Sequence, residues 1–126
     1  MEVVEKNEVI RSSHDWAINK VEKILKARIW PKSWEIIEKN LSQSPGSDLK
    51  VKAPNGDIVV IESEVEHAST QNKWKGKANK IKQEGIKTII ILGEKKHGEM
   101  LKKELGGNFC IISWPVWRLA EGLLPI

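Results

Sequence analysis

The chain has 126 residues and a formal net charge of +4, with 21 lysine and arginine residues against 17 aspartate and glutamate residues. Its length fits one domain with its own core, and its single cysteine, Cys110, excludes an internal disulfide and a zinc site of clustered thiolates. No apolar run approaches the roughly 20 residues that cross a bilayer, so we expect a soluble, cytoplasmic protein without a membrane partner.

The first predicted element is a helix. Residues 1–11 show no clear hydrophobic period, which is typical of a frayed terminus. Apolar residues then recur at helical spacing over residues 13–29, with Ser12 or Ser13 as the cap, and the pattern ends at Pro31.

Glu22 is an acidic residue on or beside the core-facing stripe of this helix. It lies four residues after Ile18 and three before Leu25, positions that share one face. Two interpretations stay open: a boundary glutamate paired with Lys26, or a carboxylate with a function.

Three strands are predicted next. Residues 34–41 fit a helix by spacing, but their aromatic and β-branched content favours a strand. Residues 49–52 and 57–61 are rich in β-branched side chains and flank Asn55-Gly56, the strongest short hairpin signal. We therefore predict an antiparallel pair.

Acidic residues enter the second hairpin strand halfway along its apolar face. Side chains alternate along a strand, so Glu62 and Glu64 share a face with Val60. A carboxylate in a buried strand is costly unless it is paired or binds a metal, and Asp48 can reach the same end from the partner strand. We predict a cation site there. The alternative is an exposed strand face on which Glu62, Glu64 and Glu66 pair with lysines.

The second half of the chain alternates helices and strands. A helix to Glu84, ended by Gly85, precedes an apolar run at 86–92 that predicts a central or parallel strand. The remaining predicted elements are a helix over 96–105, a strand over 109–112 and a short helix over 115–123. The predicted order is α, three β, α, β, α, β, α, and the fold class is α/β.

Lysines are dense on the helix after the hairpin. They predict a phosphate-binding surface, with an ordinary solvated helix face as the alternative. The candidate nucleic-acid-binding residues on this helix and on the paired strand are Lys50, Lys52, Lys73, Lys75 and Lys77.

Other chemistry-bearing residues have simpler interpretations. Cys110 is predicted to be a buried small hydrophobe. His67 could extend the cation site, but a lone histidine beside a strand end is interpreted as an ordinary polar residue, and His14 and His97 show no ligand spacing. The C-terminal apolar residues are predicted to join the core, with a dimer contact as the alternative; they are Trp114, Trp117, Leu119, Leu123 and Leu124.

The order of a helix with Glu22, a strand, and a hairpin with Asp48 and Glu62-Ser63-Glu64, then a helix and a strand, resembles the PD-(D/E)xK nuclease superfamily. Within it, residues 13–92 are most similar to the archaeal Holliday junction resolvases. The resemblance implies a restriction-endonuclease-like α-β-β-β-α-β core with a mixed central sheet flanked by helices. Glu64 departs from the pattern, because that family has lysine there, although some restriction endonucleases have Glu-x-Glu.

The resemblance also implies a function. Phosphodiester hydrolysis in these nucleases uses Mg²⁺ or Mn²⁺ held by oxygen ligands. Asp48, Glu62 and the Ser63 carbonyl would bind the metal. Glu22 would hold a second ion or a metal-bound water, and Glu64 would be the remaining catalytic residue. The chain would be a homodimeric DNA endonuclease, with branched or junction DNA as a candidate substrate.

Because Glu64 stands where the motif has lysine, another residue would have to supply the cation, and other functions stay open. Lys50, Lys52 or Lys73 can supply a cation in place of the lysine that Glu64 replaces. Two rival functions stay open: an inactive nucleic-acid-binding module on the same fold, and a small structural or interaction protein.

Overall fold

The computed structural model describes the chain in four stretches, which contain four helices and five strands. The helices are α1 (Glu2–Lys26), α2 (Gln71–Glu84), α3 (Lys95–Leu105) and α4 (Val116–Ala120). The strands are β1 (Glu35–Lys39), β2 (Leu49–Lys52), β3 (Ile58–Ser63), β4 (Thr88–Leu92) and β5 (Cys110–Trp114). The described backbone covers residues 2–27, 34–40, 48–64 and 71–126, and the described side chains are those of the same stretches except 2–13 and 71–73.

The fold is α/β, with a mixed five-stranded sheet in the order β1-β2-β3-β4-β5. The first three strands are antiparallel neighbours, whereas β3, β4 and β5 run parallel. The element order along the chain confirms the predicted one. The prediction of a central or parallel strand is confirmed as parallel, because β4 lies between two parallel neighbours and its residues from Ile89 to Leu92 are buried.

Helices cover both faces of the sheet. On one face, α1 and α4 pack against a cluster that includes Val59 and Ile61. On the other face, α2 and α3 pack against a cluster that includes Val60, with Trp74 fully buried. The predicted alternation of β3 between two faces is therefore confirmed. In the described stretches, no helix is long and apolar enough to cross a membrane.

The predicted start of the first helix and the predicted end of the last helix are wrong. Helix α1 begins at Glu2, so the predicted frayed terminus is helical and Ser12 and Ser13 lie inside the helix. No glycine or proline interrupts residues 2–26, and a helix already formed extends at little cost. Helix α4 ends at Ala120 rather than at 123, because Gly122 adopts a positive φ of 78° and ends the helix.

The prediction that Cys110 is buried is also wrong. Cys110 is exposed because it opens β5, which is an edge strand. The C-terminal segment is only partly in the core: Leu119 is fully buried, while Trp117 and Leu123 are 60% and 49% exposed.

Candidate active site

The β2–β3 hairpin brings the two predicted ligand residues together. Its turn is closed by the Ala53 amide, which donates to the Asp57 carbonyl at 2.8 Å, and Gly56 adopts a φ of 96° that favours glycine. In this register Leu49 pairs with Ile61. Asp48 therefore comes opposite Glu62, at the end of the hairpin away from the turn.

Asp48 and Glu62 contact each other through backbone and side chain. The Asp48 amide donates to Glu62 Oε2 at 3.4 Å. The Ser63 amide donates to Asp48 Oδ2 at 2.8 Å, which holds the aspartate carboxylate against the end of β3. Glu62 is 5% exposed, so its carboxylate lies in a site largely closed to water.

Lys77 on α2 supplies the cation of this site. Its Nζ donates to Glu62 Oε2 at 3.1 Å and lies 5.9 Å from the centroid of the Trp74 ring. The contact with an aromatic face stabilises a cation that burial would otherwise disfavour. An ammonium group thus lies beside the carboxylates, on the α2 side of the sheet.

His14 on α1 contacts Asp48 from the other side. Its Nε2 lies 3.1 Å from Asp48 Oδ2, and its Nδ1 lies 3.0 Å from Asp15 Oδ1. A protonated imidazole can donate at both nitrogens, so it fits between the two carboxylates. Asp48 is thereby held by His14 and by the Ser63 amide at the same oxygen.

These contacts shift the proton affinities of the site. Burial, which outweighs the opposing charge of Lys77, and the neighbouring Asp48 raise the pKa of Glu62 to about 7. The hydrogen bond to Asp48 raises the pKa of His14 to about 9. Burial acts to raise the pKa of Asp48, but its hydrogen bonds to His14, Glu62 and Ser63 lower it below the ordinary value. Burial likewise opposes the charge of Lys77, yet the nearby carboxylates raise its pKa.

The donor set fits a hard divalent cation that keeps several waters. Mg²⁺ is usually bound by one or two carboxylates and completes its octahedron with water. Among the described residues there is no group of three or more histidine, cysteine, aspartate or glutamate side chains that could hold a metal ion. Asp48 and Glu62 are two carboxylates whose charges repel, and the proton that Glu62 retains near neutral pH can be exchanged for a cation.

Ser63 and Glu64 follow Glu62 directly along the chain, at the end of β3. Glu64 is 5% exposed, and its amide donates to the Leu92 carbonyl at 3.0 Å, so it continues β3 along β4. The alternative of an exposed strand face is therefore wrong for Glu62 and Glu64, while Glu66 and His67 lie outside the described residues. A metal ligand at the Ser63 carbonyl stays a prediction.

Glu22 lies two helical turns from His14, next to other partners. Its carboxylate contacts Lys39 at 2.9 Å and Lys26 at 3.4 Å. The hydrogen bond from Lys39 lowers the pKa of Glu22, so this carboxylate is ionised and paired. The structure does not bring it onto the carboxylate pair, and its predicted role with a second ion stays a prediction.

The candidate nucleic-acid-binding lysines are not grouped at the site. Lys50 contacts Glu84 at 3.1 Å, and Lys52 is exposed at the turn end of the hairpin. Lys75 is exposed on α2, whereas the side chain of Lys73 lies outside the described part. Lys77 is the candidate that the structure brings to the site, as the ion-pair partner of Glu62.

The sequence interpretation missed His14 and placed Lys77 only among the surface lysines. A positional signal exists for both. His14 lies four residues before the buried Ile18, and so shares the core-facing side of α1. Lys77 lies three residues after Trp74 and four before Ile81, both buried. A charged residue between two core positions on one helix face indicates a partner in the interior.

Comparison with family models, with curated proteins and with solved structures finds no match for this chain.

The site predicts how stability depends on pH when no metal is bound. The folded chain retains the Glu62 proton between pH 4.5 and about 7, where the unfolded chain has lost it. It retains the His14 proton between pH 6.5 and about 9. Because the folded state binds more protons in both windows, the free energy of unfolding should fall as pH rises through them. For Glu62 the loss is about 3 kcal/mol.

Urea unfolding in EDTA at a series of pH values measures this dependence. Glu62→Gln should remove the pH dependence of the unfolding free energy between pH 4.5 and about 7. His14→Gln should remove it between pH 6.5 and about 9. The exposed Asp57 at the hairpin turn offers a control, since Asp57→Asn should follow the native curve. A native slope retained in Glu62→Gln would contradict the prediction.

Proposed function

We propose that this protein is a metal-dependent endonuclease of the PD-(D/E)xK type that hydrolyses phosphodiester bonds in DNA. The chain order α1-β1-β2-β3-α2-β4 supports the proposal, since it is the order expected of the restriction-endonuclease-like core. A branched or junction DNA substrate and a homodimeric state belong to the same proposal, on the resemblance alone.

One observation carries the proposal: Asp48, Glu62 and Lys77 meet at the end of a hairpin. Two carboxylates provide oxygen ligands, and an ammonium group at 3.1 Å from Glu62 provides a cation that does not depend on Glu64. A purely structural ion pair needs only one carboxylate. Asp48 is a second, partly buried carboxylate, and its charge contributes to the raised pKa of Glu62; perturbed pKa values of this kind are typical of functional sites.

The roles follow from the contacts. Asp48 and Glu62 would hold Mg²⁺ or Mn²⁺, which when bound neutralises phosphate charge and lowers the pKa of water. His14 and the Ser63 amide orient the Asp48 carboxylate. Lys77, beside Glu62, can donate a hydrogen bond to a phosphate oxygen and offset its charge as negative charge develops.

The charge distribution suits a polyanionic partner. The net charge is +4 although acids are gathered at the site, so the rest of the surface is more basic than the average. Several lysines of α2 are exposed beyond the site, among them Lys75, Lys80 and Lys82. They can contact phosphates that flank a scissile bond at Asp48 and Glu62.

Incubation with labelled junction, flap, linear duplex and single-stranded DNA, and with an RNA strand, tests the proposal. We expect cleavage of at least one DNA substrate in Mg²⁺ or Mn²⁺ and none in EDTA. Binding without cleavage in any metal would favour an inactive nucleic-acid-binding module. Neither binding nor cleavage would contradict the proposal and favour a structural or interaction protein.

A further inference from the structure

Three side chains at the end of β5 form a stack of alternating aromatic and cationic groups. The Arg118 guanidinium carbon lies 4.7 Å from the centroid of the Trp114 ring and 5.2 Å from that of Trp117. Trp114 is anchored, because its Nε1 donates to the Leu123 carbonyl at 3.0 Å. Trp117 is 60% exposed, so the stack ends in an indole open to solvent.

The stack lies at the same end of the sheet as the carboxylate site. In the parallel register Ser63 pairs with Leu92, and Leu92 pairs with Trp114. Neighbouring strands are roughly 4.8 Å apart, so the backbone of Trp114 lies about 10 Å from that of Ser63. Trp114 also packs on the α1 side of the sheet, the side from which His14 reaches Asp48.

The chemistry of the stack favours a nucleobase over an apolar protein surface. A guanidinium between two indoles places positive charge directly behind the exposed ring, and a second copy of an apolar face would desolvate that charge without pairing it. A nucleobase offers a flat π-surface, and its phosphates offer the opposite charge. Bases in a duplex already stack on each other, so only an unpaired base can present its face.

We propose that Trp117 is a stacking platform for an unpaired nucleobase of a nucleic acid held at the carboxylate site. The inference rests on the proposed function in taking a nucleic acid as the partner, and it narrows the substrate to one with unpaired nucleotides near the scissile bond. Stacking of a base on Trp117 requires neither a bound metal nor cleavage of the strand.

Binding of two single strands in EDTA tests the platform. One is a labelled DNA strand of about 12 nucleotides, within the roughly 4 to 16 that single-strand sites cover, and the other is an abasic strand of equal length. Native protein should bind the base-bearing strand roughly tenfold more tightly than the abasic one, since stacking one base has that effect. Trp117→Leu should abolish this preference and leave abasic binding unchanged, while Trp117→Phe should retain part of it.

A control separates stacking from a general apolar contact. Ile37 is 47% exposed on β1, at the opposite edge of the sheet, and Ile37→Ala should keep the native preference. A preference for bases that survives in Trp117→Leu would overturn the inference. A native dimer that dissociates in Trp117→Leu during sedimentation would also overturn it, by assigning the face to a second copy. The experiment measures strand binding and not cleavage. Its result therefore tests the stacking platform whether or not the protein is a nuclease.

Discussion

Asp48→Asn is expected to lower the rate of metal-dependent cleavage at least about 100-fold, since even residues that only support metal ligands contribute 10- to 100-fold. Asparagine keeps the shape of the side chain and can still accept from the Ser63 amide. It removes the negative charge that a cation needs beside Glu62. The loss should therefore come from metal binding, and the variant should remain folded.

The hairpin offers a matched control for this change. Asp57 is exposed at the opposite end of the same hairpin, and its amide donates to Asn55 Oδ1 at 3.0 Å. Asp57→Asn should cleave at the native rate. Binding of DNA in EDTA should survive in Asp48→Asn or become tighter, because a negative charge near the phosphate is removed. Native cleavage in Asp48→Asn would place the metal elsewhere.

Local sequence patterns are sufficient to predict the β2–β3 hairpin that holds Asp48 and Glu62. Asn55-Gly56 predicted the turn, and alternation along β3 predicted which side chains share a face. Together they predict that Asp48 reaches the end of the hairpin where Glu62 lies. A two-residue repeat and a tight turn are properties of neighbouring residues, so a single sequence can express them.

The residues that complete the site depend on how separate elements pack. His14 reaches Asp48 because α1 crosses one face of the sheet, and Lys77 reaches Glu62 because α2 covers the other. The rotation of each helix about its axis follows from core packing between distant segments. The exposure of Cys110 depends similarly on strand order, because any apolar strand can be central or at an edge. Local periodicity carries neither kind of information.

Lys77→Met is expected to lower the single-turnover cleavage rate ~100-fold, the effect of removing one donor to a developing negative charge. Methionine keeps the unbranched apolar stem against Trp74 but removes the ammonium from Glu62. The pKa of Glu62 should rise further, because an opposing positive charge is lost. Lys87 is a matched control, because its Nζ lies 5.3 Å from the centroid of the Phe109 ring, at the end of the sheet away from the site, and Lys87→Met should cleave at the native rate.

Combining this change with a substitution at Glu64 identifies the cation of the site. If Lys77 supplies the charge that the motif lysine would supply, Glu64→Lys in the native background should not raise the cleavage rate. In the Lys77→Met background, however, Glu64→Lys should recover part of the lost rate, because it returns an ammonium to the buried end of β3. Single-turnover rates of the four proteins measure this coupling. A large gain from Glu64→Lys alone would show that the native site lacks a working cation, and that Lys77 serves only as a partner for Glu62.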